Sequence, residues 1–479
     1  MDFMFYDLFF LVIFVIISAL FIFFNKKNLK REGIIYLYRT QIGTKIINYI
    51  GGKYKRTLNV LKYFSILIGY VLMVGIIFLF GRSVYIYARY PQITDMIKAP
   101  PIAPVIPYFP KLFHMESFFP PFYFTYFILA LAIVAIVHEF AHGIFMKHNK
   151  IKIKSTGIAF LGPILGAFVE QDETSMKKIK KTDQMAILSA GVFANIIFAG
   201  IFLLIWAGIF YLTFTPSGVL FDTYLISAVN VSDINFVNGI SIENPANQKL
   251  VGMINRDEIS DKSTLGGGDN FTEIIASGEK YYIKSIDLKK QLETNNNFAV
   301  LYPDLPAINI GLKGVIIEVN GNKIETHKQL MEVMQDKKPQ ETINLKTNYN
   351  GEINEYDFAL GQYQDYSERG TIGIINFEVS KRIEDQFAFF KNKFTDYKIK
   401  NEFMLFLYYL IFWIFFFNLL VAFFNMLPFA ILDGGRFFYL VLLGITNNEK
   451  ISKRIYKFMG LGILFFLTLL MAIWFFRII

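Results

Sequence analysis

Residues 122–137 carry no charge and run directly into His138-Glu139-Phe140-Ala141-His142. An apolar stretch of this length, followed at once by Lys147, Lys150, Lys152 and Lys154, reads as a helix that crosses a membrane and ends at a basic face. On a helix, positions four apart lie about 40° apart, so His138 and His142 present two imidazoles on one face. That is the H-E-x-x-H pattern: two ligands for a tetrahedral zinc, with Glu139 placed to act on a water. An ionisable group in the middle of a membrane helix costs ~2.5–3.5 kcal/mol on insertion scales, so Glu139 marks function. The bland alternative is a polar contact between Glu139 and one of the histidines. His114, His148 and His327 have no such spacing.

The rest of the chain supports a membrane setting. Of 479 residues 54% are hydrophobic, 53 are Phe and only 18% are charged, fewer charges than a soluble protein of this size carries. The absence of Cys excludes disulfides, thiolate zinc sites and cysteine nucleophiles, so a metal must be held by His, carboxylate or amide groups. The net charge of +9 points to anionic lipid on one membrane face. No recognition helix or RNA-binding aromatic signature accompanies it, and no nucleic-acid partner is expected.

Taken in order, residues 1–81 hold two spans, 3–24 and 63–80, around a basic segment. The first has no preceding basic region and no small-residue cleavage site after it, and reads as an anchor. Within the basic segment Ile34, Ile35, Leu37, Tyr38, Ile46, Ile47 and Ile50 are compatible with a helix lying in the interface, or with a solvated linker. Residues 82–121 are a Pro-rich loop. Residues 122–214 contain the third span, a short Gly-rich stretch (155–169) read as a hairpin or re-entrant loop, and a fourth span from about 185 to 213. At Pro216 the chain turns polar, and 215–400 reads as an α+β domain with strands at 314–319 and 343–347 around a helix at 326–335. Residues 401–446 contain a fifth span and an interrupted apolar segment, and 447–479 a sixth span at 458–476. The expected fold is thus a polytopic α-helical membrane protein of about six transmembrane helices, three of them forming a core, with an inserted α+β domain. The Lys/Arg bias places both termini and the inserted domain outside the cytoplasm and the H-E-x-x-H motif toward the cytoplasmic side.

A catalytic zinc needs a third protein ligand besides its water. Acids are scarce in the spans, and Asp433, in Asn425-Met426-Leu427-Pro428-Phe429-Ala430-Ile431-Leu432-Asp433-Gly434, stands out. It reads as that ligand or as the N-cap of a helix over 434–445.

Together His138-Glu139-x-x-His142, Ala190-Gly191-x-x-Ala194-Asn195 and Asn425-x-x-Pro428-x-x-x-x-Asp433-Gly434 resemble the site-2 protease family of intramembrane zinc metalloproteases. The resemblance covers about 122–214 and 404–445. One departure is Gly191-Val192, where the family usually has Gly-Pro before the Asn. The resemblance implies one zinc per chain bound by His138, His142 and Asp433, Glu139 as general base, and Asn195 helping to stabilise the oxyanion. The implied substrates are single-pass transmembrane proteins, cut where their helix is locally unwound; residues 157–169 would offer a strand edge to the unwound segment. Residues 307–324 are similar to the core of a PDZ domain, which implies binding of peptide C-termini; 230–295 fit that pattern poorly and read as an insertion or a second, degenerate copy. The rival readings are a catalytically inactive membrane scaffold built on the PDZ-like domain, a membrane zinc protease with a downstream Glu ligand, and a metal transporter. Retention of Glu139 argues against the first, Asp433 in its Asn/Pro setting against the second. The near absence of polar residues in spans one, two and six argues against the third.

Overall fold

The computed structural model describes residues 3–90, 105–161, 164–294, 297–363, 368–376 and 383–478. It divides into two units: Met1–Thr213 with Lys381–Ala388 and Asn401–Ile479, and Phe214–Ser380 with Phe389–Lys400.

Uninterrupted apolar sequence makes the first unit mainly helical, because helices satisfy their own backbone groups in a lipid setting. Among the described residues, six of its helices are long and apolar enough to cross a membrane. They are α1 (Phe3–Phe24), α3 (Lys55–Arg89), α4 (Phe124–His148), α5 (Lys181–Thr213), α6 (Glu402–Asn425) and α8 (Glu449–Ile478), joined by a short α2 (Ile42–Lys53) and by α7 (Asp433–Thr446). α3 runs well past 63–80 in both directions, and residues 82–89 belong to it rather than to a loop. Of the expected Pro-rich loop, 91–104 lies outside the described residues, and the remainder includes a helical turn at Phe109–Leu112. α4, α5 and α6 pack on one another, and α3 joins through small polar residues. The Ser65 and Ser189 hydroxyls lie 2.8 Å apart, Ser65 Oγ also donates to Ala186 O at 3.2 Å, and Lys62 pairs with Asp183.

The interfacial helix expected over 34–50 is corrected. Residues Leu29–Glu32 (β1) and Ile35–Thr40 (β2) form a hairpin across Gly33, which sits at φ +63°, and only Ile42–Lys53 is helical. The reason is non-local: β2 pairs from Tyr36↔Phe160 to Thr40↔Thr156 with β3 (Ile153–Leu161), which pairs in turn with β4 (Ile164–Gln171). The strand order is β1-β2-β3-β4, so β3 is enclosed and β4 is an edge. The sheet is pinned across its width. Glu170 Oε2 on β4 accepts from Ser155 Oγ on β3 and from Arg39 Nε on β2, both at 2.8 Å. The Ser155 hydroxyl, then Arg39, hold that carboxyl below its ordinary pKa.

α1 is tied to α4 by one buried charge. α4 receives no side-chain cap from its own N-cap, Tyr123. Instead Asp7 accepts from Phe124 N at 2.8 Å, from Thr125 N at 2.9 Å, and from the Thr125 and Tyr108 hydroxyls at 2.5 Å each. A carboxylate at a helix N-terminus satisfies orphan N–H groups and opposes the helix dipole. At the other end of α1, Phe21 stacks on Phe160 of β3 and meets Tyr38 of β2 edge-on.

Among the described residues the second unit contains two large sheets and a two-stranded one, Thr223–Tyr224 with Ile374–Ile375. In the first the order is Glu352–Ala359, Thr342–Tyr349, Val315–Val319, Phe214–Val219, Thr395–Ile399, with helix His327–Met334 packed through buried Leu330. That helix starts in a capping box, Thr326 with Gln329. Residues between Phe214–Val219 and Val315–Val319 build the second sheet, covered by helices Asn247–Asn255 and Ser285–Glu293. This segment has its own core around Ile274, Leu250, Leu288 and Leu301, and is an insertion into the first sheet.

Replacing Asp7 by Ala should lower the stability of the solubilised protein by ~1–3 kcal/mol, since it leaves buried donors unpaired. Asp7→Asn, which keeps an acceptor, should lose less. Equal midpoints for all three proteins in a thermal-unfolding series would rule the cap out as a source of stability.

Candidate metal centre

α4 places His138 and His142 one turn apart, both buried, with exposures of 7% and 6%. Their Nε2 atoms are 3.0 Å apart, and each lies 3.1 Å from Asp433 Oδ2. Asp433 is the first residue of α7; Leu432 holds the N-cap position and no side chain caps the helix. Asp433 therefore does not act as the N-cap. Its carboxylate turns to the histidines instead. Two glycines permit this. A Cβ on Gly434 would stand 2.3 Å from the Met426 carbonyl carbon, and one on Gly435 would stand 2.2 Å from Phe429 O. The start of α7 thus lies directly on the loop after α6, a loop that Pro428 keeps from continuing as helix.

The three atoms form a group able to hold a metal ion. On a tetrahedral zinc with bonds of ~2.0–2.1 Å, neighbouring donor atoms stand roughly 3.3 Å apart, so the observed set fits with shifts of a few tenths of an ångström. The donor chemistry, two imidazoles and a carboxylate, also suits zinc.

α5 forms the back wall. His142 Nδ1 lies 2.7 Å from Ile187 O, and His138 Nδ1 lies 3.1 Å from the Asn195 amide nitrogen. Gly191 sits between them. A Cβ there would stand 2.6 Å from His138 Cε1 and Nε2 and from His142 Nε2. Ile187, Gly191 and Asn195 are spaced four apart and share one face of α5, matching the one-turn spacing of the histidines they support. Any side chain at 191 would occupy the imidazole site.

Glu139 faces the sheet. Its Oε2 accepts from Val169 N on β4 at 3.0 Å. Asn425, at the end of α6, places its amide nitrogen 3.4 Å from His138 Nε2, on the side of the ring where the three ligand atoms meet.

His138, His142 and Asp433 are thus brought together, Glu139 lies beside them on α4 with its carboxylate on β4, and Asn195 lies behind His138. Sequence reasoning assigned no role to Asn425, Gly191, Ile187 or Val169. An amide in an apolar segment was a usable signal for Asn425. The carbonyl of Ile187 and the N–H of Val169 have no sequence signature.

A bundle of membrane-length helices that holds a His-His-Asp cluster beside a glutamate on the same helix as the two histidines defines a membrane protein of the metallopeptidase type. The chain belongs to Peptidase family M50, whose model matches residues 126–470, from α4 into α8 and across every residue of the centre. Members of this family are zinc metalloproteases of the site-2 type. An uncharacterized protein of Methanocaldococcus jannaschii is 35% identical over 178 residues, 36% of this chain. The match spans 42% of that relative's length.

Gly191→Ala should lower zinc affinity by at least ~10-fold, the scale of disturbances around metal ligands. Metal content after dialysis against zinc buffers checks this. Wild-type stoichiometry at low free zinc would show that the histidines do not need the cradle.

Proposed function

We propose that the chain is an intramembrane zinc metalloendopeptidase that hydrolyses peptide bonds within transmembrane segments of membrane-anchored proteins. The observation that carries this reading is the convergence of His138 Nε2, His142 Nε2 and Asp433 Oδ2 inside the helical bundle, one residue from Glu139. A zinc ion held there supplies Lewis acidity to the attacking water and to the scissile carbonyl. Glu139 takes the proton from that water and passes it to the leaving amine. The Asn425 amide, on the ligand side of His138, is placed to donate to the carbonyl oxygen as charge develops on it.

A substrate helix hides its amides, so it must unwind before attack. The edge that receives the unwound strand is β4, because β3 is enclosed between β2 and β4. Val169 directs its N–H away from β3, toward Glu139, and by alternation Ala167 and Leu165 present N–H and C=O on that same side. Strand addition there would lay the substrate backbone beside the base.

In the second unit a groove of about 690 Å³ runs between helix His327–Met334 and residues 369–376, lined by Leu330, Met331, Ile372 and Ile374. It supports a PDZ-like role in which peptide C-termini are captured beside a helix. The charge bias of the loops supports the second unit and both termini lying outside the cytoplasm, with the metal centre toward the cytoplasmic face.

Purified protein incubated with a single-pass transmembrane substrate should cleave it. Glu139→Ala should lose ~10²–10⁴-fold in rate while keeping its zinc, and Asp433→Ala should lose the zinc itself. Identical cleavage by wild type, Glu139→Ala and chelator-treated protein would end the protease reading and leave a peptide-binding scaffold. For the edge, Ala167→Pro removes one outward N–H without breaking a bond to β3, a substitution an edge strand tolerates. Cleavage should fall several-fold at unchanged zinc content, and unchanged turnover would remove strand addition at β4.

A further inference from the structure

Asn195 is wholly buried on α5, and its two amide atoms are treated differently by their surroundings. The nitrogen faces His138 Nδ1 at 3.1 Å, while among the described residues Oδ1 is buried with no hydrogen-bond partner. The amide touches the edge of the imidazole opposite Nε2, the atom directed at Asp433 and His142. An oxyanion formed at the centre would lie on the Nε2 side. A group engaged at Nδ1 therefore sits behind the ring and cannot reach it.

The tautomer decides what Asn195 must present. When Nε2 of His138 gives its lone pair to a metal, Nδ1 carries the hydrogen and becomes a donor. An amide nitrogen facing it would then oppose donor to donor inside a buried site, an uncompensated arrangement. A half-turn of the amide brings Oδ1 to Nδ1–H, and the unpartnered Oδ1 gives up no hydrogen bond in making it. His142 shows the same arrangement already formed, with its Nδ1–H donated to Ile187 O at 2.7 Å.

We infer that Asn195 is a positioning residue for the metal centre: its amide oxygen accepts the Nδ1–H of His138, fixing the tautomer and ring orientation in which Nε2 binds zinc, instead of donating to the oxyanion. α5 then holds both histidines from behind, His142 by a backbone carbonyl and His138 by a side chain two turns further on. The inference rests on the metalloprotease reading of the site.

The two roles differ in the sign of the hydrogen bond, which Asn195→Asp separates. An aspartate accepts but cannot donate; Asn195→Leu does neither at similar volume. Full-length wild type, Asn195→Asp and Asn195→Leu are titrated with Zn²⁺ against a chromogenic chelator, and with Co²⁺ followed by its visible ligand-field bands. A positioning role predicts that Asn195→Leu binds Zn²⁺ ~10–100-fold more weakly with altered Co²⁺ bands. Asn195→Asp should keep wild-type affinity or better with near-native bands. Wild-type affinity in Asn195→Leu would overturn the inference, and so would equal weakening in Asn195→Asp. If Asn195→Leu does not fold, Asn195→Asp decides alone by the same criterion. Failure of the wild type to bind either metal would instead remove the reading of the centre on which the inference stands.

Discussion

Two buried imidazoles and a half-buried carboxylate, within hydrogen-bond distance of one another, set the terms for everything around them. Unpaired polar groups in a low-dielectric interior are costly, so each must have a partner on every side. The Nε2 atoms and Asp433 Oδ2 meet one another, and the Nδ1 atoms meet α5. This is why α4, α5 and α7 cannot be arranged independently. Gly191 is the point of closest approach. It lets α5 come near enough to support both rings, and it fixes the register of α5 against α4 to within one turn.

The same requirement explains a sheet beside membrane-length helices. Strands in such a setting need partners for every backbone group, and here, among the described residues, β1 to β4 supply them to one another except along the outer edge of β1 and the outer edge of β4. Part of the β4 edge is engaged by Glu139 through Val169 N. Glu139 and the strand edge are therefore coupled: anything that pairs with β4 arrives at the carboxylate. α1 reinforces the arrangement from outside, holding the start of α4 through Asp7 and the β2–β3 face through Phe21. One helix thus fixes the distance between the histidine-bearing helix and the sheet.

What the sequence made legible follows from what is local. The six apolar helices are written in hydropathy, and the two histidines and Glu139 in a five-residue spacing. Asp433 was found because a carboxylate in an apolar segment is conspicuous. By contrast, Ile35–Thr40 alternates in a way that also fits one face of a helix, and only its pairing with Ile153–Leu161, more than a hundred residues on, makes it a strand. Asp7 lay in plain view as the single charge of α1. Its role depends on the N-terminus of another helix, and so spacing within α1 carried no trace of it. Asn195 was placed at the centre by its motif, but which side of which ring it touches is set by the packing of α5 on α4.

That last distinction bears on how such a site tolerates change. A ligand is fixed by identity, since only certain atoms bind zinc. A supporting group is fixed by the sign of its hydrogen bond, and a backbone carbonyl can meet the requirement as well as a side chain does. His142 relies on Ile187 O, which no substitution at 187 removes. His138 has Asn195, a side chain that a single substitution can delete. The two histidines, equivalent in the sequence pattern, are therefore unequal in the fold. His138 is the more vulnerable, and the residue that protects it sits 57 positions away on another helix.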